Sequence, residues 1–99
     1  MTIEDWRAEI NAIDSELLRL LNERARLAVK VGETKMAVGL SVCDRRRERE
    51  VIERARRANP GPLDERAVVK IFRRIIFESK RTEARAMGEA GTQANGTTR

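Results

Sequence analysis

The chain has 99 residues, 40% of them apolar, 37% charged and only 3% aromatic, with a net charge of +5. Histidine is absent and Cys43 is the only cysteine, which excludes serine–histidine and cysteine–histidine pairs, the usual zinc sites and any disulfide framework. One small all-α domain follows from the richness in Ala, Leu, Glu and Arg, and the positive charge points to an anionic partner without saying which.

The first element is the longest. Ile3, Trp6, Ile10, Ile13, Leu17, Leu20, Leu27 and Val31 recur at steps of three and four, the period of one helix face. Thr2 and Asp5 have the spacing of a capping box. The pattern predicts a helix to about Met36, roughly 50 Å long at 1.5 Å per residue. Only Arg24 interrupts the stripe. The "VGLSV" stretch around Gly39 reads as a loop.

A second helix is expected from near Asp44 to about Ala58, with Val51, Ile52, Ala55 and Ala58 as its apolar face. "NPGP" at 59–62 is a firm break. A third helix opens near Leu63–Asp64 and carries Val68, Ile71, Phe72, Ile75 and Ile76. Its pattern fades after Met87, so residues 1–87 are read as the domain and 88–99 as a disordered tail. No apolar signal core or run of about 18 apolar residues is present, so the expectation is a soluble, cytoplasmic chain without membrane contact.

Two short helices are too short to cover a helix of about 50 Å. A monomer would leave a long apolar seam in water, and a second copy is the simplest cover.

Each helix also carries polar residues on its inward line. Arg24 sits in the seam of the first, and Lys35 returns to nearly the same side about 16 Å further on. In "SVCDRRRERE", Asp44, Arg47 and Glu48 extend the second stripe backwards, while Ser79 and Glu83 extend the third forwards. Singly, each has an ordinary explanation: a snorkelling arginine, a cation at a helix end, an N-cap, a solvated charge. Together they need a shared one, because burying an unpaired charge costs several kcal/mol. Cations with carboxylates and a hydroxyl describe a closed pocket for a small, multiply anionic ligand. Arg7 lies about 25 Å from Arg24 along the same helix, so it reaches such a pocket only from the other copy of an antiparallel dimer.

The runs "WRAEINAIDSELLRLLNERARLAVKVGETK", "VCDRRREREVIERA" and "IFRRIIFESKRTEA" resemble the all-helical class of chorismate mutases over roughly residues 5–85. The resemblance implies three helices per chain, one long and two shorter, in an intertwined homodimer. It implies the Claisen rearrangement of chorismate to prephenate, an isomerase step of the shikimate pathway toward phenylalanine and tyrosine, with no cofactor or metal. By position, Arg7 from the partner chain, Arg24 and Arg47 would bind the substrate's charged groups, assisted by Ser79. Lys35 would reach a carboxylate and the ether oxygen. Glu48 would accept from the ring hydroxyl with Asp44 beside it, and Glu83 would sit across the ether oxygen from Lys35.

Glu83 differs from the glutamine of several family members. It donates only when protonated, a state that burial and Glu48 would favour and Lys35 would oppose. Activity is therefore expected to fall toward and above neutral pH. Two other readings remain open at this point. One is an isochorismate–pyruvate lyase of the same fold. The other is a basic helical module for nucleic acid or protein, using Arg45, Arg46, Arg49, Arg56 and Arg57. Some mutases of this class also work with another enzyme of the pathway, and the sequence carries no visible docking motif for one.

Overall fold

The computed structural model describes residues 1–96, with side chains up to residue 88. It holds three helices: α1 (Ile3–Ala37), α2 (Arg45–Ala58) and α3 (Glu65–Gly96). Among the described residues there is no strand, and no helix is long and apolar enough to cross a membrane.

The helix ends follow local chemistry. Thr2 caps α1: its hydroxyl accepts from the Asp5 backbone N–H at 3.2 Å, and the Asp5 carboxylate accepts from the Thr2 backbone N–H at 2.7 Å. Asp44 caps α2, accepting from the Arg47 N–H at 3.0 Å. Asp64 does the same before α3, accepting from the Ala67 N–H at 2.7 Å. Asn59 closes the break between α2 and α3 by donating to the Leu63 carbonyl at 2.7 Å. The α1–α2 turn uses Gly39 at φ +75°, a region that favours glycine.

α3 runs to Gly96, beyond Met87 where the apolar pattern fades. The tail expected over 88–99 falls largely outside the described side chains, and residues 97–99 lie outside the described residues altogether.

α3 is the spine. Among the described residues, α1 and α2 each pack on it and not on each other. Val68 and Ile76 of α3 are buried, with Phe72 and Ile75 half-buried beside them. Val51, Ile52 and Ala55 of α2 are half-buried too, whereas Ala58 and Ile71, expected on apolar faces, are exposed. The α1 face turned to α3 is not centred on the seam. It runs through Arg24, Ala25, Ala28, Val29, Gly32 and Lys35, while Leu27 and Val31 stay exposed. Small residues on that face let α3 come close.

The molecule measures 62 × 30 × 16 Å, with a radius of gyration of 17.7 Å. A compact domain of this length would have about 13 Å. The first half of α1 adds to this extent with little cover from the other helices. Every residue up to Glu23 is exposed, including Trp6 at 53%, Ile10 at 54% and Leu17 at 50%.

Candidate active site

The second half of α1, the loop after it, the start of α2 and the middle of α3 surround an open hollow of about 600 Å³. Seven of the eight residues singled out from the sequence line it: Arg24, Lys35, Asp44, Arg47, Glu48, Ser79 and Glu83. The helical periods bring them together as read. Arg24 and Lys35 share the α1 face turned to α3, Ser79 and Glu83 are one turn apart on α3, and Asp44 to Glu48 span the first turn of α2.

Arg24 is half-buried and its guanidinium donates to Ser79 Oγ at 2.7 Å. Ser79 is itself buried, at 7% exposure. This bond fixes the direction of the arginine fork across the α1–α3 contact. Lys35 keeps its side chain largely covered, with Nζ 3.8 Å from Asp44 Oδ2. Asp44 thus serves twice, capping α2 and facing a cation. Its carboxyl lies below the usual range, chiefly because it accepts from the Arg47 backbone N–H, with Lys35 adding to the effect.

Glu83 lies over Gly32. A Cβ at residue 32 would collide with the Glu83 carboxyl and the Met87 methyl, so the glycine makes room for both. Burial raises the Glu83 carboxyl above its ordinary value, opposed by the charges of Lys35 and Lys80. Burial acts as the sequence suggests, whereas Glu48, expected to act with it, is not among the causes.

Two features differ from the sequence reading. The hollow is open rather than closed, because one chain supplies walls on only some sides. Arg47 borders it but is 57% exposed, with its guanidinium 3.6 Å from Glu50 on the solvent side. Arg7, as its distance from Arg24 along α1 requires, is not at the hollow within the chain; its guanidinium stands 3.2 Å from Glu4.

The sequence reading also missed two residues. Lys80 lines the hollow, with Nζ 3.1 Å from Glu48 Oε2 and 3.9 Å from Cys43 Sγ. It lies off the apolar stripe of α3, and its meeting with Glu48 depends on the α2–α3 packing angle. Gly32 did leave a signal: a glycine inside a helix is destabilising by about 1 kcal/mol relative to alanine unless space is needed there.

Three of the five outer arginines of α2 stand against carboxylates. Arg46 faces Glu50 at 3.7 Å, Arg57 pairs with Glu53 at 3.1 Å, and Arg56 bridges Glu53 and Glu65. Arg46, Arg56 and Arg57 therefore sit on a mixed-charge part of the surface.

The chain is similar to known proteins in sequence and in fold. A family model described as chorismate mutase type II matches residues 6–84. A bifunctional chorismate mutase/prephenate dehydratase of Aquifex aeolicus is 44% identical over 78 residues, 75% of this chain and 22% of that protein. A chorismate mutase of Methanocaldococcus jannaschii is 32% identical over 88 residues, 88% of this chain and 89% of that one. The solved structure of a chorismate mutase (form II) from Thermus thermophilus aligns with a TM-score of 0.81 at 35% identity, over 84% of this chain and 94% of that one. The chain spans about a fifth of the length of the bifunctional relatives. A three-helix chain with these cations around one hollow, matched along most of its length in sequence and shape, belongs to the chorismate mutase type II family.

Proposed function

We propose that this protein rearranges chorismate to prephenate, as a homodimer whose two sites are each completed by the other subunit's Arg7. The observation that carries the reading is the convergence of Arg24, Lys35 and Arg47 with Glu48 and Glu83 on one hollow. The reading includes a cytoplasmic role in phenylalanine and tyrosine biosynthesis.

The reaction is unimolecular. One C–O bond breaks as one C–C bond forms, so the protein needs no nucleophile and acts by holding the reactive conformer within a fixed field. Arg24, aimed by Ser79, grips one carboxylate, and Arg47 and the partner subunit's Arg7 complete the anion site. Lys35, held near Asp44, meets the negative charge that grows on the ether oxygen. Removing one donor of this kind typically slows a reaction on the order of 100- to 1,000-fold. Glu83, protonated, donates to the same oxygen, and Glu48 accepts from the ring hydroxyl.

The dimer is supported by the exposed apolar face of α1, which continues one stripe from Ile3 to Leu20. A second copy running antiparallel would bury it and carry Arg7 across the distance that one chain leaves open.

The test is an assay of chorismate and isochorismate turnover, with the mass in solution measured alongside. Prephenate formation by a dimer is expected; pyruvate release from isochorismate alone would favour the lyase, and an active monomer would overturn the shared site. Mixing inactive Arg7→Ala and Arg24→Ala chains sharpens this. Each mixed dimer regains one intact site, so activity should return to about a quarter of wild type on statistical exchange.

A further inference from the structure

Lys80 stands between α2 and α3 with a role that the anion site does not require. Its ammonium is 3.1 Å from Glu48 Oε2, the two residues coming from different helices. Both side chains are only partly exposed, at 48% and 30%, and both face the hollow. Pairing with Glu48 raises the Lys80 ammonium above its ordinary value, so it stays charged at any pH where the protein works.

Resting on the function proposed above, we infer that Lys80 is a positioning residue that clamps the Glu48 carboxylate across the α2–α3 cleft, so that a dianion bearing a ring hydroxyl binds beside it.

Charge and geometry both favour such a clamp. The hollow holds four cations (Arg24, Lys35, Arg47 and Lys80) against three carboxyl groups (Asp44, Glu48 and Glu83). Asp44 already faces Lys35, and Arg47 leans toward Glu50. Without Lys80, Glu48 would present an uncompensated negative charge to an incoming dianion, and its carboxylate would be free to swing to solvent. With Lys80 in place, one Glu48 oxygen is anchored and its charge is offset. The other oxygen is left to accept from a hydroxyl. The register on α3 fits the same division of labour. Ser79 turns toward α1 and Arg24, whereas Lys80, one residue on, turns toward α2.

Such a clamp acts in the ground state and the transition state alike, because the ring hydroxyl takes no part in the bonds that change. Its loss should therefore raise KM and leave kcat near wild type. The experiment compares Lys80→Met, Lys80→Arg and Glu48→Gln with wild type, together with the double variant Lys80→Met/Glu48→Gln. Helicity and dimer mass serve as controls of folding, and the substrates are chorismate and an analogue lacking the ring hydroxyl. Lys80→Met is expected to raise KM for chorismate about fivefold, the upper scale of a partly exposed ion pair, with kcat within about twofold. Lys80→Arg should restore KM, and in the Glu48→Gln background Lys80→Met should add nothing. On the analogue, the fold-change should shrink toward the part due to charge alone. An unchanged KM in Lys80→Met, a fall in kcat instead, or an equal effect in the Glu48→Gln background would each overturn the clamp. A wild-type protein that leaves chorismate untouched would instead remove the function on which the clamp rests.

Discussion

The two halves of α1 carry one apolar repeat but meet different surroundings. From Arg24 onward the helix is laid against α3, and the face through Ala25, Ala28 and Gly32 is covered. Up to Glu23 the same repeat, with Trp6, Ile10, Ile13 and Leu17, faces outward and stays about half exposed or more. Periodicity therefore says that a face wants covering, not what covers it. The composition of the stripe separates the halves. Large apolar residues dominate the projecting part, suited to another long helix, while small residues and two cations mark the part that approaches α3 and frames the site.

That comparison breaks most sharply at Leu17. Leu17 is half exposed in a single subunit, so one chain alone has little reason to resist Leu17→Glu. If a second copy covers the seam, each dimer buries two unpaired carboxylates at a cost of several kcal/mol apiece. The expected outcome is a shift of the sedimentation or light-scattering mass to monomer, with activity falling at least 100-fold, the scale set by loss of positioning in a shared site. Arg26→Glu, on an exposed position away from the seam, should leave the mass unchanged.

On the covered half, Gly32 separates packing from chemistry. The helix would welcome alanine by about 1 kcal/mol, but a methyl there displaces the Glu83 carboxyl and the Met87 methyl. Both are flexible side-chain ends, so the fold can yield. Gly32→Ala should keep its melting temperature within a few degrees and lose roughly tenfold in kcat, as a misplaced catalytic group does. Thermal melts and single-substrate kinetics on the same sample check it; a lower melting temperature with unaltered kcat would show that the glycine serves packing alone.

Much of this architecture is legible in the sequence. The caps at Thr2 and Asp44 are set by side chains within three residues of the amides they satisfy, so local spacing suffices. The polar residues on inward lines, Arg24 with Ser79 above all, stand out because charge on an apolar stripe demands a partner. Lys80 gives no such cue. Its partner Glu48 is 32 positions away, and only the packing of α2 on α3 decides that they meet. The offset between the α1 seam and its covered face is hidden for a related reason: one stripe serves two neighbours, and their directions are tertiary facts. The outward lean of Arg47 belongs with these, since Glu50 competes for it within α2.

Glu83 offers the finest test of the covered half, because it depends on a proton rather than a shape. Burial raises its carboxyl above the ordinary value, and Lys35 on α1 and Lys80 on α3 pull the other way. The remaining charged groups around the hollow are Arg24 on α1, and Asp44, Arg47 and Glu48 at the start of α2. A raised carboxyl keeps its proton to higher pH and loses it as the pH climbs through the raised value. On the proposed function, the neutral form would donate to the ether oxygen, and the ionised form would repel the charge developing there. The wild-type kcat should therefore be highest on the acid side and decline as the pH rises through that value. Glu83→Gln keeps a donor of similar shape at every pH, so its profile should flatten and overtake wild type on the alkaline side. The same raised value bears on folding, with the sign fixed by proton uptake. The native state holds this proton more tightly than the unfolded chain, so the stability it adds is complete below the ordinary carboxyl value. Rising pH through the raised value removes that increment, which Glu83→Gln retains. A pH–rate profile of the variant that still falls in parallel with wild type would assign the titration to another group of the hollow and leave Glu83 with no part in the proton's effect.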